Sequence, residues 1–129
     1  MRNFTSKWLL LSLALLLMIV GSVSFAQEPP AEKPPDNVAG NWTIYANDPN
    51  GGTSSKYIQL KQNGNQLTGH FKGPHQSGGL EGTINMHHIM FRTKTRDVLT
   101  FRGTVEGNKM SGDFGNRGQH GTWQAVRTN

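Results

Sequence analysis

From Gly40 onward the chain alternates apolar and polar positions. Trp42, Ile44 and Ala46 fall on one side of an extended segment; Asn41, Thr43 and Tyr45 fall on the other. Ile58 and Leu60 alternate with Tyr57, Gln59 and Lys61 in the same way. The pattern continues through Leu67, Gly69 and Phe71, then Leu80, Gly82 and Ile84, then Ile89, Phe91 and Thr93. Leu99, Phe101, Gly103 and Val105 form a further set, followed by Met110, Gly112 and Phe114, and finally Trp123, Ala125 and Arg127. Eight short strands, each with an apolar and a polar face, are predicted, because half-buried antiparallel strands carry this period.

The connections refine the picture. Asn63–Phe71 reads NGNQLTGHF and Glu106–Phe114 reads EGNKMSGDF, an internal repeat of a turn followed by apolar-x-Gly-x-Phe. Asn85–Phe91, NMHHIMF, is a fainter third copy with Phe in place of the second glycine. Facing residues must point the same way, so turn length sets register. A two-residue turn at Gly107-Asn108 puts Val105 opposite Met110, Gly103 opposite Gly112, Phe101 opposite Phe114 and Glu106 opposite Lys109. A turn at Met86-His87 puts Ile84 opposite Ile89, and either Gly64-Asn65 or Asn63-Gly64 serves the second and third strands. Neighbours joined by hairpins make an antiparallel up-and-down meander. Eight strands is the number at which such a meander closes into a small barrel and removes its exposed edges. An open sandwich or a five-stranded barrel with broken strands is the alternative. The turns near residues 64, 86 and 107 then share a tight end. Asp48 to Thr53, Gly73 to Gly79, Thr95 to Asp97 and Gly115 to His120 form a looser mouth.

The chain before Gly40 is different. Residues 1–26 hold 17 of the 44 hydrophobic residues, and the other 103 hold 27. Arg2 and Lys7 precede a 13-residue run, Trp8 to Val20, that is apolar except for Ser12; Ser24 and Ala26 then make a small-x-small cleavage site. This is the layout of a signal peptide cut between Ala26 and Gln27. As a helix the apolar run spans only about 20 Å, short of the ~30 Å of a bilayer core, so no stable membrane anchor is expected after cleavage. A secreted or periplasmic location follows. Residues 27–39 read as a proline-rich disordered linker, with four prolines between Gln27 and Asn37. Residues 40–129 are left as the barrel domain.

Composition and charge exclude several classes. With no cysteine there is no disulfide framework, thiol nucleophile or lipid-modified cysteine. Fifteen of the 16 glycines lie in residues 40–129, without collagen periodicity, which suits tight turns and coiled strands. Removing Arg2 and Lys7 leaves 11 basic against 8 acidic residues, a net charge of +3, too small to argue for nucleic acid.

Gly40-Asn41-Trp42 at the first strand, with Arg127 ending the last, resembles the signature of the calycin superfamily, which includes lipocalins, fatty-acid-binding proteins and avidins. The resemblance implies that Trp42 packs near the closed end under Arg127. It also implies a barrel that binds a small apolar or amphipathic ligand. The Leu-x-Gly-x-Phe strands are similar to those of small secreted bacterial barrel proteins. Only Trp42 and Trp123 remain after cleavage, so an avidin-like set of ligand-stacking tryptophans is absent and no biotin site is expected.

Candidate chemistry is sparse. His87-His88 invites a metal, but adjacent strand residues diverge and only Glu81 and Asp113 look able to approach; no metal site and no cofactor are expected. His75 and His120 share the mouth with Asp48, Asp97, Arg96 and Arg117, yet no hydrolase, metalloprotease or phosphate-loop motif accompanies them, so no enzyme is expected. Gln76-Ser77-Gly78-Gly79 lacks the strand-to-helix setting of a nucleophile elbow. Arg92, Lys94 and Arg102, with Arg96, form an outward basic patch, but only Tyr45 and Tyr57 could stack bases and they lie on other strands; nucleic acid is not an expected partner. A ligand site is expected at the mouth, from Lys56, His75, Thr93, Arg96, Leu99, Arg117 and His120, with Trp42, Trp123 and Arg127 as structural residues. The expected function is an exported, non-enzymatic barrel that binds a small apolar or amphipathic ligand. The alternative is an envelope-associated interaction or inhibitor module with no internal ligand, whose protein partner the sequence does not name. A pocket lined by Phe71, Phe91, Phe101 and Phe114 would mark the first, and a filled interior with an exposed patch at the loops the second; the aromatic side chains compete for so short a barrel that either no pocket or one near the mouth is expected.

Overall fold

A computed structural model describes residues 33–128. The predicted signal peptide, residues 1–26, and residues 27–32 of the proline-rich segment lie outside the described residues. The strands are β1 (Gly40–Asn47), β2 (Thr53–Asn63), β3 (Gln66–Lys72), β4 (Ser77–Asn85), β5 (His88–Lys94), β6 (Thr100–Glu106), β7 (Lys109–Asn116) and β8 (Gln119–Thr128). Each pairs antiparallel with the next, and β8 returns to β1, so the eight-stranded meander closes into a barrel.

The registers follow turn length. Val105 faces Met110, Gly103 faces Gly112, Phe101 faces Phe114 and Glu106 faces Lys109. Ile84 faces Ile89 across Met86-His87, and Asn63 faces Gln66, which selects Gly64-Asn65 as the first tight turn. Met86 holds a positive φ of 57° there without being glycine or asparagine. At the other end the structure departs from expectation. Asn116 pairs with Gln119, so the broad loop expected over Gly115–His120 is a two-residue turn at Arg117-Gly118.

The interior is filled. Phe91 and Phe101 stack at 4.7 Å between ring centroids, Phe101 and Phe114 at 5.3 Å, and Trp123 meets Phe91 and Phe101 edge-on at 5.9 and 5.6 Å. Gly103 makes room for that indole, and Gly112 lets β6 and β7 approach closely. A Cβ on Gly103 would sit 2.9 Å from Trp123 Cζ2, and one on Gly112 would sit 2.6 Å from the Gly103 Cα. Close approach lets Trp123 Nε1 donate to the Arg102 and Asp113 carbonyls at 3.2 and 3.0 Å, so the buried N–H is satisfied.

The closed end is capped by chain that the proline-rich composition marks as unpaired linker. Val38 is fully buried in the core cluster. Its N–H donates to Gln62 Oε1 at 2.8 Å and its carbonyl accepts from Trp42 Nε1 at 2.9 Å. Asp36 N donates to the Met86 carbonyl at 3.0 Å, and Gln62 Nε2 donates to the Asp36 carbonyl at 3.0 Å. The segment 36–39 is therefore a strap across the barrel end and not part of a disordered linker. One apolar residue supplies the burial and the hairpin ends supply the hydrogen-bond partners.

Candidate functional site: the barrel mouth

A cleft of about 670 Å³ opens at the end opposite the strap. Phe71, Leu99 and Phe114 line it from the core side, and Asp48, Lys56, His75, Gln76, Arg96 and Asp97 are among its polar walls.

Lys56 is the unusual group. Strand alternation turns it inward, two residues before Ile58 and opposite Ile44, and it is only 5 % exposed. Its Nζ donates to Ser54 Oγ, lies 3.4 Å from Asp48 Oδ1, and stands 5.4 Å from the centre of the Phe114 ring. Asp48 also accepts from Ser54 Oγ at 3.1 Å. An ammonium group taken from water needs such partners, because burial of an unpaired charge costs several kcal/mol (~3–5). The β1–β2 connection is shaped to deliver that carboxylate: Asp48 N donates to the Gly52 carbonyl at 2.7 Å and Gly51 N to the Asp48 carbonyl at 2.9 Å.

The opposite wall is a clamp between three loops. Gln76 Nε2 donates to the Asp97 carbonyl at 2.7 Å and Gln76 Oε1 accepts from Asp97 N at 3.1 Å, which ties the β3–β4 loop to the β5–β6 loop. Arg117 donates to Asp97 Oδ1 from the β7–β8 turn, and Arg96 Nη2 lies 3.9 Å from Asp97 Oδ2. Asn116 lines the cleft beside Gln119, and its Oδ1 is buried without a hydrogen-bond partner.

Of the residues expected at the mouth, Lys56, His75, Arg96 and Leu99 line the cleft. Thr93 lies beneath it. Thr93 is fully enclosed, its Oγ1 shares a 2.7 Å hydrogen bond with Thr95 Oγ1 and accepts from Leu99 N at 2.9 Å, so it props Leu99 and does not reach the opening. Arg117 is exposed and braces Asp97 from outside. The short turn at Arg117-Gly118 sets the β8 register, so Gln119 lines the cleft where His120 was expected. Asp48, Ser54, Gln76 and Asp97 carry more of the geometry than the histidines. Only strand phase could have flagged Lys56, and no periodic signal marks the loop residues. At the closed end, His87 Nδ1 lies 3.3 Å from Asp36 Oδ2, a neighbour supplied by the strap and not by Glu81 or Asp113. Among the described residues no cluster of three or more metal-ligating side chains occurs.

At that end Arg127 lies over the Trp42 ring, 4.5 Å from guanidinium carbon to ring centre. It donates to Asn108 Oδ1 at 2.9 Å, the Ala39 carbonyl at 2.6 Å and the Asn37 carbonyl at 2.8 Å. Gly40 lies beneath with φ of +130°, and a Cβ there would come within 3.3 Å of Arg127 Nη1.

The architecture is that of a small closed antiparallel barrel. The solved structure of a redesigned β-barrel is similar to it, with a TM-score of 0.62 and 12% sequence identity over 71% of this chain and 91% of that one. At that identity the likeness is one of fold. No family model matches the chain, and no curated protein matches it.

Proposed function

We propose that the protein is exported and acts as a binding protein and not an enzyme, holding a small amphipathic molecule in the mouth cleft. The observation that carries this reading is Lys56, a nearly buried cation facing an open cleft whose inner side is Phe71, Leu99 and Phe114. An apolar body would cover the aromatic and leucine surface while a hydrogen-bond-accepting head accepts from the ammonium group that Ser54 and Asp48 hold in place. The filled interior removes the expected pocket among the four phenylalanines and speaks against a long apolar ligand threaded into the barrel, so the proposed site is confined to the mouth. Arg127 over Trp42 supports a calycin-like build, in which the ligand enters from the end opposite that pair.

The test is an NMR titration with short fatty acids and small aromatic carboxylates, on the native protein and on Lys56→Met. Saturable shifts at Leu99, Gln76 and Asn116, lost in a folded Lys56→Met variant, are expected. Absence of saturable shifts with every probe would overturn the reading. That outcome would favour the second one, a protein-interaction module working through the mouth loops, which the packed interior also supports.

A further inference from the structure

The outer surface of the barrel is divided by charge. Outward on β4 to β7, every strand cation has a carboxylate neighbour. Lys94 Nζ lies 3.2 Å from Glu81 Oε2, Arg92 is registered opposite Glu81, Arg102 opposite Asp113 and Lys109 opposite Glu106. The basic patch read from the sequence is thus locally neutralised. The other half differs: β8, β1, β2 and β3 contain no aspartate or glutamate at all. Lys61 and Lys72 point outward there and join no ion pair among the described residues.

The same half displays Tyr45 and Tyr57, 55 and 52 % exposed. Tyr57 is registered between Lys72 on β3 and Thr43 on β1, and Tyr45 between Ser55 on β2 and Gln124 on β8. The two rings are therefore diagonal neighbours across β1 and β2, roughly 7–8 Å apart at their backbones. A shallow groove of about 340 Å³ runs beside Tyr57 along Asn41, Gln59, His70, Lys72 and Thr128. A second groove of about 340 Å³ runs beside Tyr45 along Ser111, Gln124 and Val126, and reaches Glu106 and Lys109, which are registered opposite each other on β6 and β7. Two half-exposed aromatic rings with amides, hydroxyls and unpaired lysines around them are an interaction surface, since tyrosine combines an apolar face with a polar tip at little conformational cost.

We propose that this face binds an acidic polysaccharide. Each tyrosine offers a flat ring for the C–H face of a sugar, the amides and hydroxyls match sugar hydroxyls, and Lys61 and Lys72 meet carboxylates on β2 and β3, strands that carry none of their own; Glu106, at the Tyr45 groove, is registered opposite Lys109. The charge balance selects this partner over nucleic acid. A single strand of nucleic acid carries a phosphate at every nucleotide and is held in grooves lined by many cations, whereas two lysines suit a chain with wider-spaced charges. The face is separate from the mouth cleft and does not rest on the reading of that cleft.

Polygalacturonate, at low ionic strength and measured by calorimetry, is the probe. Neutral dextran and poly-dT are comparison ligands, and light scattering follows the oligomeric state. Saturable binding to polygalacturonate, and weaker binding to dextran and poly-dT, is expected. Tyr45→Ala/Tyr57→Ala and Lys61→Ala/Lys72→Ala should each weaken it by about tenfold or more with the melting temperature retained. Arg92→Ala/Arg102→Ala, which removes equal charge from the neutralised half, should leave it within about twofold. No binding to polygalacturonate would overturn the proposal. So would equal loss in the arginine pair, which would mean diffuse attraction of a polyanion. Tighter binding of poly-dT would point to a nucleic-acid surface, and tyrosine-dependent dimerisation to a surface for a second copy; either result would overturn it too.

Discussion

Arg127 shows how one side chain joins the two ends of the chain. Its guanidinium stacks on Trp42, and three of its N–H groups reach Asn108, Ala39 and Asn37, so the last strand, the first strand, the strap and the β6–β7 turn meet at one residue. A lysine could not reproduce that planar set of donors. Gly40 belongs to the same unit, since any side chain there would press on the guanidinium. Trp42 beneath it is fully enclosed and donates its indole N–H to the Val38 carbonyl. We expect Trp42→Ala to lose about 3–5 kcal/mol of stability, through lost apolar burial and the cavity left behind. The denaturant midpoint reads this directly, and a midpoint close to that of the native protein would show that the ring contributes little to the core.

At the scale of elements, the strands were legible because their side chains alternate between faces and tight turns leave little freedom in register. Phe101 against Phe114 and Ile84 against Ile89 follow from turn length alone. Two things were not legible, for different reasons. The mouth wall depends on hydrogen bonds between loops far apart in sequence, such as Gln76 with Asp97, and no period or motif encodes them. The strap was hidden by its proline-rich neighbourhood, although Val38 is a lone apolar residue placed to plug the barrel end. Its burial gives the next expectation. Val38→Asp would place a carboxylate in the core cluster, where the Gln62 amide and the Trp42 indole N–H are already paired, so stability should fall by about 2–4 kcal/mol. Hydrogen exchange at the Trp42 indole N–H and the Asp36 amide should quicken as the strap detaches. Unchanged exchange and an unchanged melting temperature would mean that the strap rests on the barrel without stabilising it.

On the scale of the whole molecule, the described strands close the barrel among themselves. The described core runs from Val38 to Ala125, every strand is paired on both sides, and the seam between β1 and β8 leaves no open sheet edge. The apolar run from Trp8 to Val20 stands behind Arg2 and Lys7 and ahead of the small-x-small site at Ser24 and Ala26, the layout expected of a signal peptide. Cleavage would lower the formal net charge from +5 to +3. It would also leave Gln27 to Pro35 ahead of a strap whose first described hydrogen bond is at Asp36. The cut thus falls outside the described contacts that hold the barrel closed. The expected outcome is that exported material has an intact mass corresponding to residues 27–129, and that a chain beginning at Gln27 shows one cooperative thermal transition. Recovery of the protein in membranes with residues 1–26 attached would reject cleavage. Failure of the shortened chain to fold would show that the N-terminal residues serve the barrel itself.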